Sequence, residues 1–132
     1  MDFETVVAEA AHFFAAQPAT QPVRIISNKD TDGITAAAIL VVALRSSNQP
    51  SVTTFIKQLT PDFLTTLERE SYTVYFFLDM GASSLSLLAQ HLAGKTLFVL
   101  DHHYPSSAVL PAQIIHLNPH LLQIDGTKSI SA

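Results

Sequence analysis

The sequence predicts an α/β domain built on a mainly parallel sheet, and three observations support that prediction. Strand-like and helix-like segments alternate along the chain. Residues 72–78 are almost all apolar or aromatic, as expected of a central strand covered on both faces. Three strand-like runs end directly in aspartate or in aspartate and histidine, and the carboxyl ends of parallel strands share one edge of a sheet.

The individual elements are predicted from periodicity and capping residues. Apolar residues at helical spacing follow Asp2, an N-cap residue type, and this first helix is expected to end at Pro18 and Pro22. Gly94 is a C-cap residue type beyond the fourth helix. The remaining predicted segments are strands over 23–27, 51–57, 72–78, 95–100 and 113–117, and helices over 33–44, 60–69 and 83–92.

Composition excludes several classes of protein. The 132 residues are enough for one domain, and a chain with 48% hydrophobic and 14% charged residues is globular and not disordered. The longest apolar stretch, residues 34–44, is much shorter than the ~20 residues of a membrane span. The chain has no cysteine and does not begin with a signal-peptide pattern, so we expect a cytoplasmic protein that contacts no membrane.

The charge pattern limits how the chain could hold nucleic acid. The net charge is −4, and the seven Lys and Arg residues form no cluster. A protein that binds by phosphate neutralisation alone usually shows a basic stripe. Any surface for a nucleic-acid strand is therefore incomplete in this sequence.

Residues suited to divalent metal follow three of the predicted strands. They are Asn28-Lys29-Asp30-Thr31-Asp32-Gly33, Asp79, and Asp101-His102-His103. Carboxylates suit Mn²⁺ and Mg²⁺, and imidazole additionally suits Mn²⁺. Two such ions ~3.5 to 4 Å apart can activate a hydroxide and stabilise the leaving oxygen of a phosphodiester. Gly33 allows close backbone approach and an immediate helix start, with amide groups left free for phosphate.

Each piece has an ordinary structural alternative when it is taken alone. The Asp-x-Asp-Gly sequence could be a turn, Asp79 could cap a helix, and His102 and His103 could be surface residues. For His12, His91 and His116 the sequence favours ordinary structural roles. His120 could lie near the edge of the site and Lys29 could meet phosphate, but a loop histidine and a solvated loop lysine are favoured. The metal hypothesis rests on the combination of all three strand ends.

Four segments resemble the DHH phosphoesterases, in particular the RecJ-like single-strand-specific nucleases of archaeal type. The segments are Ser-Asn-Lys-Asp-Thr-Asp-Gly-Ile-Thr-Ala-Ala-Ala-Ile-Leu from Ser27, Leu-Asp-Met-Gly from Leu78, Val-Leu-Asp-His-His from Val99 and Leu-Asn-Pro-His from Leu117. The resemblance implies a mainly parallel five-stranded sheet flanked by helices, and two Mn²⁺ or Mg²⁺ ions. The implied metal ligands are Asp30, Asp32, Asp79, Asp101 and His102. His103 is implied to contact the scissile phosphate, so the catalytic assignment falls on Asp101 and His103 and the substrate-binding assignment on Gly33 and His103.

The sequence departs from the family pattern in two ways. Asn28 stands where relatives carry His or Asp; it could coordinate through its carbonyl oxygen but brings no charge. The family's further metal-binding aspartate and its substrate-binding domain are expected beyond Ala132, and Asp125 lies too early to replace that aspartate. Residues 125–132 look like a loop that opens into another helix. We therefore expect residues 1–132 to be the N-terminal portion of a DHH domain, inactive alone.

Three functions are compatible with the resemblance. The first is a metal-dependent exonuclease on single-stranded DNA or RNA. The second is a non-catalytic replication scaffold that binds the GINS complex and the replicative helicase. The third is a phosphoesterase of small molecules or oligonucleotides. Scaffold relatives usually lose several ligands, whereas this sequence loses at most one at Asn28, which favours the enzyme; the Thr-Asp-Gly-Ile-Thr run favours the RecJ-like branch.

Overall fold

The fold contains a five-stranded sheet in which every pair of neighbouring strands is parallel. A computed structural model describes residues 2–17, 21–106 and 113–124; Pro18 and the predicted helix start at 125–132 lie outside them. The strands are β1 (Val23–Asn28), β2 (Ser51–Ile56), β3 (Val74–Leu78), β4 (Thr96–Leu100) and β5 (Ile114–Leu117), in the spatial order β2-β1-β3-β4-β5. The prediction of an α/β fold with five strands is confirmed.

Four of the five described helices begin at a side chain that caps them. They are α1 (Phe3–Ala15), α2 (Thr31–Ser46), α3 (Pro61–Glu68), α4 (Leu85–His91) and a short 3₁₀ helix (Pro119–Leu122). Asp2 caps α1 by accepting from the Thr5 amide at 2.8 Å, and Thr60 caps α3 through the Phe63 amide at 3.1 Å. Helix α2 begins at Thr31, two residues earlier than the sequence indicated, because Asp30 is its cap.

The core lies on both faces of the sheet. Successive side chains of β3 alternate between the faces: Tyr75 and Phe77 pack with α3 and α4, while Phe76 and Leu78 pack on the opposite face with α1 and α2. All five residues of β3 are buried. This two-sided burial explains why residues 72–78 are so apolar. No helix in the described ranges is long and apolar enough to cross a membrane.

The strand order reverses between β1 and β3. From β1 the chain moves outward to β2, then returns to β3 on the other side of β1 and continues to β4 and β5. In open parallel sheets, ligands bind in the crevice at the carboxyl ends of the strands where the order reverses. Asn28 at the end of β1 and Asp79 after β3 lie on the two sides of this crevice, with Asn28 Nδ2 donating to the Asp79 carbonyl at 3.4 Å.

Candidate metal centre

Asp79 lies at the centre of the crevice in a constrained position. Its amide donates to the Leu100 carbonyl at 2.9 Å, and its backbone adopts φ +58°, a left-handed conformation that non-glycine residues seldom use. The side chain is only 1% exposed. His102 Nε2 lies 2.9 Å from Asp79 Oδ1, while Oδ2 is buried and has no hydrogen-bond partner among the described residues.

Asp101 organises the turn that follows β4. It is 3% exposed, and its Oδ2 accepts from the Ala82 amide at 3.0 Å, which joins this turn to the loop after β3. Its Oδ1 accepts from the His102 amide at 2.8 Å and lies 2.6 Å from His103 Nδ1. The Asp101 carboxylate therefore sets the positions of both histidines.

The two histidine rings extend from this turn beside Asp79. Their centroids are 4.5 Å apart, and the His103 side chain is 56% exposed whereas that of His102 is 16% exposed. Asp79, Asp101, His102 and His103 each offer one ligand atom, and these four atoms lie within 4.8 Å of one another. The buried carboxylates with a neighbouring imidazole form a donor set that suits Mn²⁺.

The cap and the first turn of α2 add two further carboxylates, Asp30 and Asp32. Asp32 Oδ2 lies 3.7 Å from His102 Nε2, and its side chain is 48% exposed. Asp30 Oδ1 accepts from the Gly33 amide at 2.9 Å, and this hydrogen bond lowers the pKa of Asp30. Asp30 is thus both a helix cap and a neighbour of the buried Asp79 carboxyl.

Electrostatics support a cation at this point. Burial raises the pKa of Asp79 to about 6, and the nearby Asp30 carboxyl contributes to the rise, while His102 opposes the shift. Two adjacent carboxylates repel each other unless a proton or a cation lies between them. Because the buried Asp79 Oδ2 has no described donor, the residues fit a divalent ion.

Asn28 and Gly33 are the two other candidates from the sequence at the end of β1 and the start of α2. The Asn28 amide nitrogen is used by the Asp79 carbonyl, so only its Oδ1 could reach an ion. The Gly33 amide is used by Asp30, and a Cβ at Gly33 would lie 2.0 Å from the Asn28 carbonyl oxygen. The close approach made possible by this glycine is therefore to the protein backbone, and a role at phosphate stays a prediction.

A cavity of about 330 Å³ opens beside the cluster of acidic and histidine residues. It runs from the loop after β2 to the loop after β3, and its lining includes Asn28, Lys57, Gln58, Asp79, Ser83 and His103. The lining is largely polar on the side of the sheet edge. Lys29, the other cation in this region, is exposed and does not line the cavity.

Asn118, to which the sequence alone gave no role, lies behind His103. Asn118 is 2% exposed; its Nδ2 donates to the His103 carbonyl at 2.8 Å, and its Oδ1 accepts from the His120 amide at 3.0 Å. The only signal was its place in the Leu-Asn-Pro-His segment. His120 stacks on Tyr104 with ring centroids 4.0 Å apart, and buried His116 lies 3.4 Å from Asn118.

Two of the remaining histidines lie outside the site. His91 at the end of α4 pairs with Glu68 at 2.5 Å, and His12 is exposed in the last turn of α1. Structural roles for His12 and His91 stay predictions.

Fold and site together define an α/β domain with a cluster of carboxylate and imidazole groups at the switch point of its sheet. The model of the DHH family, N-terminal domain, matches residues 22–131, and the chain belongs to that family. An uncharacterised protein of Methanocaldococcus jannaschii is 30% identical over 115 residues, which cover 83% of this chain and 26% of the relative.

Three solved structures share the fold. RecJ of Thermus thermophilus in complex with Mn²⁺ matches with a TM-score of 0.68 and 23% identity over 88% of this chain and 17% of RecJ. A second exonuclease RecJ, bound to manganese, matches with a TM-score of 0.67 and 22% identity over 84% of this chain and 30% of the exonuclease. CDC45 of Entamoeba histolytica matches with a TM-score of 0.66 and 14% identity over 89% of this chain and 24% of CDC45. The chain spans under a third of the length of each of these proteins.

Proposed function

We propose that this chain is the N-terminal part of a DHH domain in a metal-dependent phosphodiesterase, an exonuclease that degrades single-stranded DNA or RNA. The observation that carries the proposal is the buried Asp79 carboxyl, which has an unpartnered Oδ2 and lies between Asp30 and His102. Without a cation or a shared proton, the ionised Asp30 and Asp79 carboxylates repel each other. A divalent metal would stabilise it directly.

Each candidate residue has a defined part in this proposal. Asp30, Asp32, Asp79, Asp101 and His102 hold the metal, and the exposed ring of His103 contacts the scissile phosphate. These residues would hold two divalent ions, which when bound would activate a water and offset the charge of the phosphodiester. Asp101 orients His103 through the 2.6 Å contact at Nδ1, which leaves Nε2 to face the substrate. Gly33 and the Oδ1 of Asn28 are secondary candidates for phosphate and metal.

Manganese is the ion that the donor set favours, with magnesium as the alternative. The site mixes carboxylates with an imidazole, and imidazole binds transition ions better than it binds Mg²⁺. Both RecJ structures of similar fold contain manganese. The proposed setting is DNA repair or replication in the cytoplasm, with two ions in the full-length protein.

A replication scaffold is the second candidate function. The fold match to CDC45 supports it, and such a protein would bind the GINS complex and the replicative helicase without cutting DNA. The clustered donor atoms of Asp79, Asp101, His102 and His103 favour the enzyme, because a scaffold gains nothing from keeping them within 4.8 Å of one another. A small-molecule or oligonucleotide phosphoesterase is the third.

The test is cleavage of labelled single-stranded DNA and RNA by the full-length protein with Mn²⁺. We expect degradation by the wild type and none by Asp32→Ala or His102→Ala, both with unchanged circular dichroism. His12→Ala, on the exposed face of α1, is the matched control and keeps full activity. Wild-type protein that binds no metal and leaves the strands intact would favour the scaffold.

A further inference from the structure

The cavity beside the proposed metal centre has one cationic side chain in its lining, Lys57. Lys57 directly follows β2, so it stands at the same sheet edge as Asp79 and Asp101. The Lys29 amide donates to the Ile56 carbonyl at 2.9 Å, which holds the start of this loop against the acidic loop after β1. The backbone at Lys57 is therefore held beside the loop after β1.

Of the other described cations, Lys29 is exposed after β1 and does not line the cavity, and the rest lie elsewhere in the fold. Arg24 is buried and binds Glu70 through Nε at 3.1 Å, and Lys95 precedes β4 at the opposite edge of the sheet. Arg45 and Arg69 lie at the carboxyl ends of α2 and α3, away from the carboxyl edge of the sheet. Lys57 is exposed and makes no ion pair with the described residues.

We propose that Lys57 binds the phosphate next to the scissile one, so that the cavity is a subsite for a nucleotide chain and not for an isolated phosphate ester. This inference rests on the proposed function and specifies its substrate class. The cluster of acidic residues repels a polyanion, and a strand that enters the site gains from one cation within reach of its neighbouring phosphate. Gln58, Ser83 and Ser84 add polar groups to the same lining.

The contact would act on binding and not on the chemical step. A phosphate that does not react interacts with Lys57 equally in the ground state and in the transition state, so its loss raises KM and leaves kcat unchanged. Each phosphate neutralised on a single strand contributes about 0.7 to the slope of log affinity against log salt. A dinucleotide with one phosphodiester has no neighbouring phosphate and is indifferent to Lys57.

The experiment compares full-length wild type with Lys57→Gln. Binding of fluorescent oligothymidylate is measured by anisotropy at several salt concentrations in EDTA, and cleavage of a dinucleotide and of a longer strand is measured with Mn²⁺. We expect the Lys57→Gln slope to be smaller by about 0.7 and its KM for the longer strand to rise about fivefold, with dinucleotide cleavage unchanged. The controls Lys29→Gln and Lys95→Gln match the wild type.

The outcomes separate this inference from the proposed function. Cleavage by the wild type with the same slope and KM in Lys57→Gln overturns the subsite and leaves the nuclease. No cleavage by the wild type, together with a reduced slope in Lys57→Gln, overturns the nuclease and retains a strand-binding site at Lys57. Equal losses in Lys57→Gln and Lys29→Gln would show a general charge effect and would also overturn the subsite.

Discussion

Substituting Gly33 with alanine tests how closely α2 packs on β1. An alanine Cβ would lie 2.0 Å from the Asn28 carbonyl oxygen, whereas ordinary contact begins at 3.4 Å, so the two backbones must separate by about 1.4 Å. Alanine normally stabilises a helix interior by up to ~1 kcal/mol over glycine. Overpacking of this kind costs about 3 kcal/mol, which exceeds the gain in helix propensity, so the variant is destabilised.

The assay is chemical unfolding followed by circular dichroism, with a parallel Mn²⁺ titration. Gly33→Ala should lower the free energy of unfolding by about 2 to 3 kcal/mol and weaken metal binding, because Asp30 and Asp32 move with the start of α2. Gly94→Ala is the matched control: it meets no atom within 4 Å and is destabilised only by its left-handed φ of +83°, about 1 to 2 kcal/mol. A Gly33→Ala protein as stable as the wild type would refute the close packing.

The site leads to three further predictions. The pKa of Asp79 in the folded protein, about 6, lies above its ordinary value of 3.8, so in metal-free protein its stabilising contribution is present at about pH 4 and is lost as the pH rises through 6. Asp79→Asn should remove this pH dependence of the free energy of unfolding, and identical pH profiles of stability in wild type and variant would contradict the prediction. Asn118→Asp keeps the acceptor for the His120 amide but loses the donor to the His103 carbonyl, so kcat should fall by at least tenfold while the affinity for Mn²⁺ is retained. A kcat equal to that of the wild type would show that Asn118 does not position His103. Residues 1–132 alone should bind Mn²⁺ weakly and show no nuclease activity in a gel assay, because a charged ligand and a clamping domain are expected farther along; tight binding of two ions with robust cleavage would show that the catalytic unit is smaller.

The convergence of the candidate ligands could be predicted from sequence because it depends only on strand order and strand ends. Asp30, Asp79 and Asp101 each follow a parallel strand, and parallel strands must present these ends at one edge. The apolar runs indicated which segments are strands. No knowledge of loop geometry was needed for that step.

Loop contacts could not be predicted in the same way. The left-handed backbone of Asp79 belongs to a single loop residue, and no periodic pattern indicates it. The hydrogen bond from Asn118 to the His103 carbonyl joins two loops, and no periodic pattern indicates this contact either. The start of α2 was placed too late because Asp30 was interpreted only as a ligand, although an aspartate at that position also caps a helix. Lys57 was interpreted only as a strand residue, because its proposed role at phosphate depends on the cavity that it lines, which the sequence does not reveal.

Calorimetric titration of the full-length protein with Mn²⁺, compared with Asp79→Asn, tests the central claim most directly. Asparagine keeps the shape of the aspartate and removes its charge, so packing at the buried side chain is preserved. We expect the wild type to bind two ions and Asp79→Asn to lose at least one of them, because the buried Asp79 Oδ2 has no described hydrogen-bond partner and its charge would be removed. Absence of binding by the wild type, or equal binding by both proteins, would contradict a metal centre at this edge of the sheet.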